Sequence, residues 1–258
     1  MTALVTGAAR RLGRAMALEL ARAGHDVAIH FAISGDDAEQ VAEEVRALGR
    51  AAVTLPADLT VEDEMQGLLP RAAEALGGAI TVLVNNASIF EYDSLASATR
   101  DSWDRHMESN LRAPFVLTQA LAAQVPEPVA DENGEPVAQG LVVNMIDQRV
   151  LKPTPEFMSY TIAKMGLWAL TRTSAQALAP RVRVNAIGPG PTLRGARQTP
   201  EHFARQRAAT ILERGADPQD ICEALRYFLT ARAVTGQLIC VDGGQHLAWQ
   251  TPDILGVE

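Results

Sequence analysis

Residues 5–17 read VTGAARRLGRAMA, and this stretch decides the fold. The apolar run 3–5 leading into it has strand character, and residues 12–23 repeat apolar positions at helical spacing. Gly7 and Gly13 flank the turn between the two. A glycine turn from a strand into a helix presents backbone N–H groups and the positive end of a helix, so it predicts a pyrophosphate site. The middle glycine usual in such a turn is Arg11 here. That places a guanidinium beside the expected phosphates and close to where a substrate would stack.

The same alternation recurs along the chain. Short apolar runs at 3–5, 26–31, 51–55, 80–85, 140–145, 182–187 and 237–241 are separated by amphipathic stretches near 12–23, 36–48, 61–76, 101–124, 157–178, 200–213 and 217–230. Strands that are apolar throughout have both faces covered, which predicts a parallel sheet between two helical layers. The expected architecture is α/β: a Rossmann-type, doubly wound sheet of about seven strands in a single domain, residues 1–258. Two stretches break the rhythm. Residues 126–140, PEPVADENGEPVAQG, read as an exposed loop before the fifth strand. Residues 188–200, GPGPTLRGARQTP, follow the sixth strand. Ligands of open parallel sheets bind at the carboxyl ends of the strands, so a loop and helix over about 188–215 are placed to cover a substrate.

Composition narrows the class. The 258 residues are 47% hydrophobic and 21% charged, with a net charge of −8, which argues against a nucleic-acid or anionic-membrane binder. Two cysteines cannot build a disulfide framework, and no run reaches the length of a membrane helix. With "MTALVTG" entering a strand at once rather than a leader, a cytoplasmic protein without a metal site is expected.

The second strand bears on the cofactor. An acid at its end would bind the adenosine ribose hydroxyls and select NAD, but the end reads HFAIS, His30 to Ser34, with no acid before Asp36. Arg10 can pair with a 2′-phosphate and Ser34 can donate to it, so NADP(H) is expected. Asp58, after the third strand, is placed to meet the adenine amino group.

The chemistry gathers further on. NMIDQRV, residues 144–150, ends the fifth strand; Tyr160 follows Asp147 by thirteen residues and Lys164 follows Tyr160 by four. Tyr160 and Lys164 share one helical face, where the ammonium could stabilise a phenolate. A carboxyl group beside such a tyrosine can pass a proton, whereas a serine only donates a hydrogen bond. Asp147 is therefore expected to be kept protonated by a shielded pocket and to deliver a proton to a ring C=N bond.

Six motifs in order resemble the short-chain dehydrogenase/reductase family over nearly the whole chain: TGAARRLG, NNAS, the Asn110 segment ESNLRAPF, YTIAK, RVNAIGPG and VTGQLICVDGG. Within the family the sequence looks most like the pteridine reductases. Arg11 replaces the middle glycine, NNAS is followed by Phe90, and Asp147 stands where serine is usual. The arginine that pteridine reductases carry shortly after the second strand is Ile33 here. Carried onto matching positions, the resemblance implies that Leu12, His30, Leu59, Asn86, Ala87, Pro189 and Gly190 help bind the cofactor. It implies that Lys164 holds the nicotinamide ribose, and that Asn110 interrupts the fourth helix and positions water for a relay to Lys164. Arg11, Ser88 and Phe90 would then contact a pterin stacked on the nicotinamide, and the protein would be a homotetramer.

The leading expectation is an NADPH-dependent dihydropteridine reductase. A carbonyl or 3-oxoacyl reductase of the same family is the first alternative, and Arg11 and Phe90 have no evident use in it. A non-catalytic dinucleotide-binding protein is the second; it predicts damage at Tyr160 or Lys164, and both are intact.

Overall fold

The computed structural model describes residues 1–195 and 197–251. The chain runs β1 (Thr2–Val5), α1 (Arg11–Arg22), β2 (Asp26–Phe31), α2 (Gly35–Ala47), β3 (Ala52–Pro56), α3 (Glu62–Leu76) and β4 (Val82–Asn85). It continues with α4 (Arg100–Met107), a π-helical turn (Glu108–Arg112), α5 (Ala113–Gln124), β5 (Val129–Ala130), β6 (Pro136–Val137) and β7 (Gly140–Met145). The last third holds α6 (Met158–Leu178), β8 (Val182–Pro189), α7 (Pro200–Ala208), α8 (Pro218–Thr230) and β9 (Leu238–Val241). Among the described residues, no helix is long and apolar enough to cross a membrane.

Seven strands form one parallel sheet in the order β3-β2-β1-β4-β7-β8-β9. Side-chain alternation along β1 shows why it needs two helical layers. Ala3 and Val5 join the core made with α1, α2 and α8, through Met16, Val41 and Phe228. Leu4 faces the opposite core, with Leu68 of α3 and Leu117 of α5. Each such fully buried leucine contributes about 1.5–3 kcal/mol of apolar transfer. The chain winds outward from β1 to β3, then returns to lay β4 on the other side of β1. This reversal opens a crevice at the carboxyl ends of β1 and β4.

Residues 126–140 differ from the expected loop. They contain a two-stranded antiparallel hairpin pairing Val129 with Val137 and Ala130 with Pro136. Asp131 shapes its turn: Oδ1 accepts from the backbone N–H groups of Asn133 and Glu135, and Gly134 takes a positive φ of 79°. The amphipathic stretch near 101–124 is interrupted at Asn110, as expected, by the π-helical turn. Cys222 and Cys240 are free thiols.

Candidate active site

The β1–α1 turn sits in the crevice and is braced from two sides. His30 on β2 accepts the Gly7 N–H at Nδ1 (2.9 Å) and donates from Nε2 to the Ala57 carbonyl (3.0 Å). Burial lowers its pKa to about 4, so it holds this tautomer as a neutral strut. On the other side, Thr6 Oγ1 accepts from the N–H groups of Asn86 and Ala87, while Asn86 Nδ2 donates to the carbonyls of Thr6 and Gly7. Gly13 is required by packing: a Cβ there would lie 2.1 Å from the Gly7 carbonyl oxygen.

The resulting cleft, ≈ 510 Å³, is walled at the turn by Gly7, Arg10, Arg11, Leu12 and Gly13, and beside β2 and β3 by His30, Asp58 and Leu59. Asn86, Ala87 and Ser88 line it from β4, and Pro189 and Gly190 from β8. Helix α1 opens there with no side-chain cap and no acid in its first turn. Its free N–H groups and positive end suit a pyrophosphate, so these residues fit a dinucleotide. Ala32, Thr60, Ile89, Ser109 and Thr192 also line the cleft and were not anticipated. They are small or apolar wall residues with no pattern of their own in the sequence.

Three predicted ligand residues have other occupations. Arg10 Nε donates to Asp37 (2.6 Å) in an exposed ion pair at the start of α2. Ser34 is not among the residues lining the cleft; it precedes α2 without capping it, and the neighbouring Ile33 is 95% exposed. Arg11, at φ 55°, turns its guanidinium onto the carbonyls of Leu193 (3.0 Å) and Arg194 (2.9 Å). It ties the β8–α7 loop down over the cleft.

The second part of the site gathers around the N-terminal end of α6, outside the lining of that cleft. Tyr160 donates its phenol to Asp147 Oδ2 at 3.0 Å, and Asp147 Oδ1 accepts the Arg149 N–H at 2.8 Å. Burial raises the Asp147 pKa against the opposing pull of Arg149 and Tyr160. Burial, then the Asp147 charge and its hydrogen bond, push Tyr160 well above 10. The sequence argument expected Lys164 to lower the phenol. In the structure the direction is upward, because burial and then Asp147 dominate, while the Lys164 ammonium donates to the Met145 carbonyl (2.9 Å) and stands 5.7 Å from the tyrosine ring centroid. Burial lowers Lys164 to about 8. Both members of the Asp147–Tyr160 pair are thus held toward their protonated forms.

Asn110 interrupts the helix as expected, but its amide is spent on one residue. Oδ1 accepts the Ile89 N–H and Nδ2 donates to the Ile89 carbonyl. Asn110 therefore fixes the loop after β4 that carries Phe90. That ring stacks on Phe157 (4.3 Å, 11°) and meets the edge of Tyr160 (4.7 Å). Phe157, in the left-handed region at φ 56°, was not anticipated, since a lone phenylalanine before a helix carries no sequence signature. Buried Asp93 secures this corner by accepting the Ser159 N–H at Oδ1 and the Ser159 hydroxyl at Oδ2, while the Asp93 carbonyl accepts from Phe157 N. His106 Nδ1 bonds the same hydroxyl at 2.7 Å. Among the described residues, no group of three or more His, Cys, Asp or Glu could hold a metal.

A cleft that fits a dinucleotide lies at the β1–β4 reversal, and a buried tyrosine and lysine stand one helical turn apart on α6. The family profile described as enoyl-(acyl carrier protein) reductase matches residues 7–246. The chain belongs to the short-chain dehydrogenase/reductase family. Among curated members, the 3-oxoacyl-[acyl-carrier-protein] reductase FabG of Staphylococcus epidermidis is 31% identical over 251 residues, spanning 95% of this chain and 99% of that protein. Two solved structures of the family are more similar in sequence. FolM alternative dihydrofolate reductase 1 from Brucella suis, in complex with NADP, is 46% identical, with a TM-score of 0.90 and 98% of each chain covered. The protein of the same description from Brucella canis, also with NADP, is 44% identical, with a TM-score of 0.89, covering 98% of this chain and 97% of that one.

Proposed function

We propose that this family member is an NADPH-dependent reductase of dihydropteridines. The observation that carries the reading is the 3.0 Å bond between Tyr160 and a half-buried Asp147 whose pKa is raised. A ketone reductase needs only a hydrogen-bond donor beside its tyrosine. Reduction of a ring C=N bond, like that of a ketone, places a proton on the heteroatom, and a carboxyl group whose pKa is raised by burial can help to relay it. The likeness to the two FolM structures supports the same substrate class.

When bound, the cofactor supplies a hydride to the electron-poor carbon. Tyr160 passes its proton to the adjacent nitrogen, and Asp147 restores it. Lys164, cationic below about pH 8, holds the ribose and offsets the charge left behind. Phe90 offers the pterin an aromatic wall and Ser88 a polar contact, joined by Arg11 when its guanidinium leaves the Leu193 and Arg194 carbonyls. Arg10 leaves Asp37 for the 2′-phosphate, an exchange that costs little because an exposed ion pair is worth about 0–1 kcal/mol. Asp58 takes the adenine amino group. We place the enzyme in the cytoplasm as a homotetramer.

The likeness to FabG favours a second reading, a 3-oxoacyl reductase. A panel of dihydropterins, dihydrofolate, 3-oxoacyl thioesters and simple ketones, followed by NADPH oxidation, separates the two. Dihydropterins should be turned over with the highest kcat/KM. Turnover of oxoacyl thioesters alone would establish the alternative.

A further inference from the structure

Three buried polar side chains beside Tyr160, those of Asp93, His106 and Ser159, have no part in the chemistry above. They come from three segments: the loop after β4, helix α4 and the first turn of α6. Helix α6 opens at Phe157, which offers no side-chain cap, so its first turn is capped from outside. The Asp93 carbonyl accepts from Phe157 N (2.8 Å), and the Asp93 carboxylate accepts the N–H and the hydroxyl of Ser159. Ser102 Oγ of α4 reaches the same carboxylate at 3.3 Å. The carboxylate meets the serine rather than the histidine, and all three side chains are buried, so the set builds no nucleophile.

The hydrogen bonds of this group run in one direction. The Glu91 N–H donates to His106 Nε2 at 3.2 Å, so that nitrogen carries no proton. Burial lowers the His106 pKa against the opposing pull of Asp93 and Glu91, which keeps the ring neutral. Its one proton is then on Nδ1 and is donated to Ser159 Oγ (2.7 Å), whose own proton goes to Asp93. Packing alone would be served by an apolar side chain, since burying an imidazole costs free energy unless its nitrogens are satisfied. What the imidazole adds is a link between two parts of the site. Glu91 adjoins Phe90, and Ser159 adjoins Tyr160. The His106 ring also meets the Tyr160 ring edge-on, with 6.1 Å between centroids.

We infer that His106 is a positioning residue, which sets Tyr160 through Ser159 and the Phe90 loop through Glu91. The inference rests on the proton-transfer role proposed for Tyr160, not on which substrate is reduced, because Phe90 lies 4.7 Å from Tyr160 and borders whatever binds there. Two conservative variants separate the two links. In His106→Asn the amide nitrogen takes the place of Nδ1 and still donates to Ser159, but nothing accepts from Glu91. In His106→Gln the amide oxygen takes the place of Nε2 and accepts from Glu91, but Ser159 loses its donor. Assays use saturating NADPH with dihydrobiopterin, or with acetoacetyl-CoA if the substrate panel favours the thioester. His106→Asn should keep kcat and raise KM about three- to tenfold, the size of one lost hydrogen bond. His106→Gln should keep KM and lower kcat by a similar factor, and His106→Leu should show both defects. A merely structural histidine would lower the melting temperature of all three variants with no such split. Equal changes in His106→Asn and His106→Gln, or none in either, would overturn the inference. Tyr160→Phe is the control: full activity there removes the role of Tyr160 and the inference with it, whereas an inactive Tyr160→Phe without the split removes the inference alone. The tautomer is a readout independent of turnover. Nitrogen NMR of the ring signal missing from His106→Leu should show Nδ1 protonated and Nε2 bare at neutral pH, and the opposite tautomer would also overturn the inference.

Discussion

Asp147 and Tyr160 share one hydrogen bond at 3.0 Å, and each is held toward its protonated form by burial. Asp147→Ser leaves a donor in place but removes the carboxyl group. Pterin reduction should fall by about 10² to 10⁴-fold in kcat, the usual contribution of general acid–base catalysis, with KM little changed. Tyr160→Phe should cost as much, and the double variant should lose far less than the product of the two because the pair acts as a unit. Full activity of Asp147→Ser on every substrate would make the acid a mere cap for the turn at 148–150. A second residue-scale prediction concerns Arg10. Its bond to Asp37 orients the guanidinium but also competes with a 2′-phosphate. Arg10→Ala should therefore weaken NADPH much more than NADH, whereas Asp37→Ala should widen the preference for NADPH. Ratios of kcat/KM for the two cofactors test both; a wild-type preference for NADH would defeat the reading.

Three elements, β1, β2 and β4, converge on the glycine turn, and His30 is the pin between two of them. Its neutral ring accepts from Gly7 and donates to Ala57, so protonation must break the Gly7 contact. The folded pKa is about 4 against an ordinary 6.5. Between those values the unfolded chain takes up a proton that the native state refuses. Stability is therefore intact above pH 6.5 and lost as pH falls toward 4, by up to about 3 kcal/mol from this residue. Buried His25, also lowered to about 4, acts in the same sense. Thermal melts from pH 7 to 4 should show a steep loss in the wild type and a shallower one in His30→Gln; identical slopes would remove His30 from the explanation. The sheet itself was legible in the sequence because its strands are short apolar runs that alternate with helical stretches. The hairpin at 126–140 was not, since two paired positions among Pro, Gly and acids leave no alternation to detect. Contacts such as His30 with Gly7, Arg11 with Leu193, and Phe90 with Phe157 join residues that lie far apart in the chain. Their residue types alone do not reveal the pairing, so the motif members were legible while several of their partners were not.

At the scale of the whole molecule, α5 and α6 are among the helices that carry exposed apolar side chains. Phe115 on α5 is 44% exposed, and Ile162 and Met165 on α6 are 39% and 45% exposed. Both helices press their other faces on the sheet, with Leu117, Leu121 and Leu167 buried. Leaving large apolar groups on the outer face of each has a use if a second copy covers them, and a two-fold axis sets each helix against its own counterpart. Light scattering at micromolar concentration should then give a mass of four chains. Phe115→Glu is a strong challenge to that arrangement. The residue is exposed within one chain, so folding should be unaffected, yet near a two-fold axis the new carboxylate approaches its own copy in an apolar seam. The variant should sediment as a smaller species with an unchanged far-UV spectrum. Salt should restore little of the assembly, because the charges are desolvated as well as repelled. A wild type that scatters as a monomer, or a Phe115→Glu variant that remains a tetramer, would show that this face is not the one that assembles.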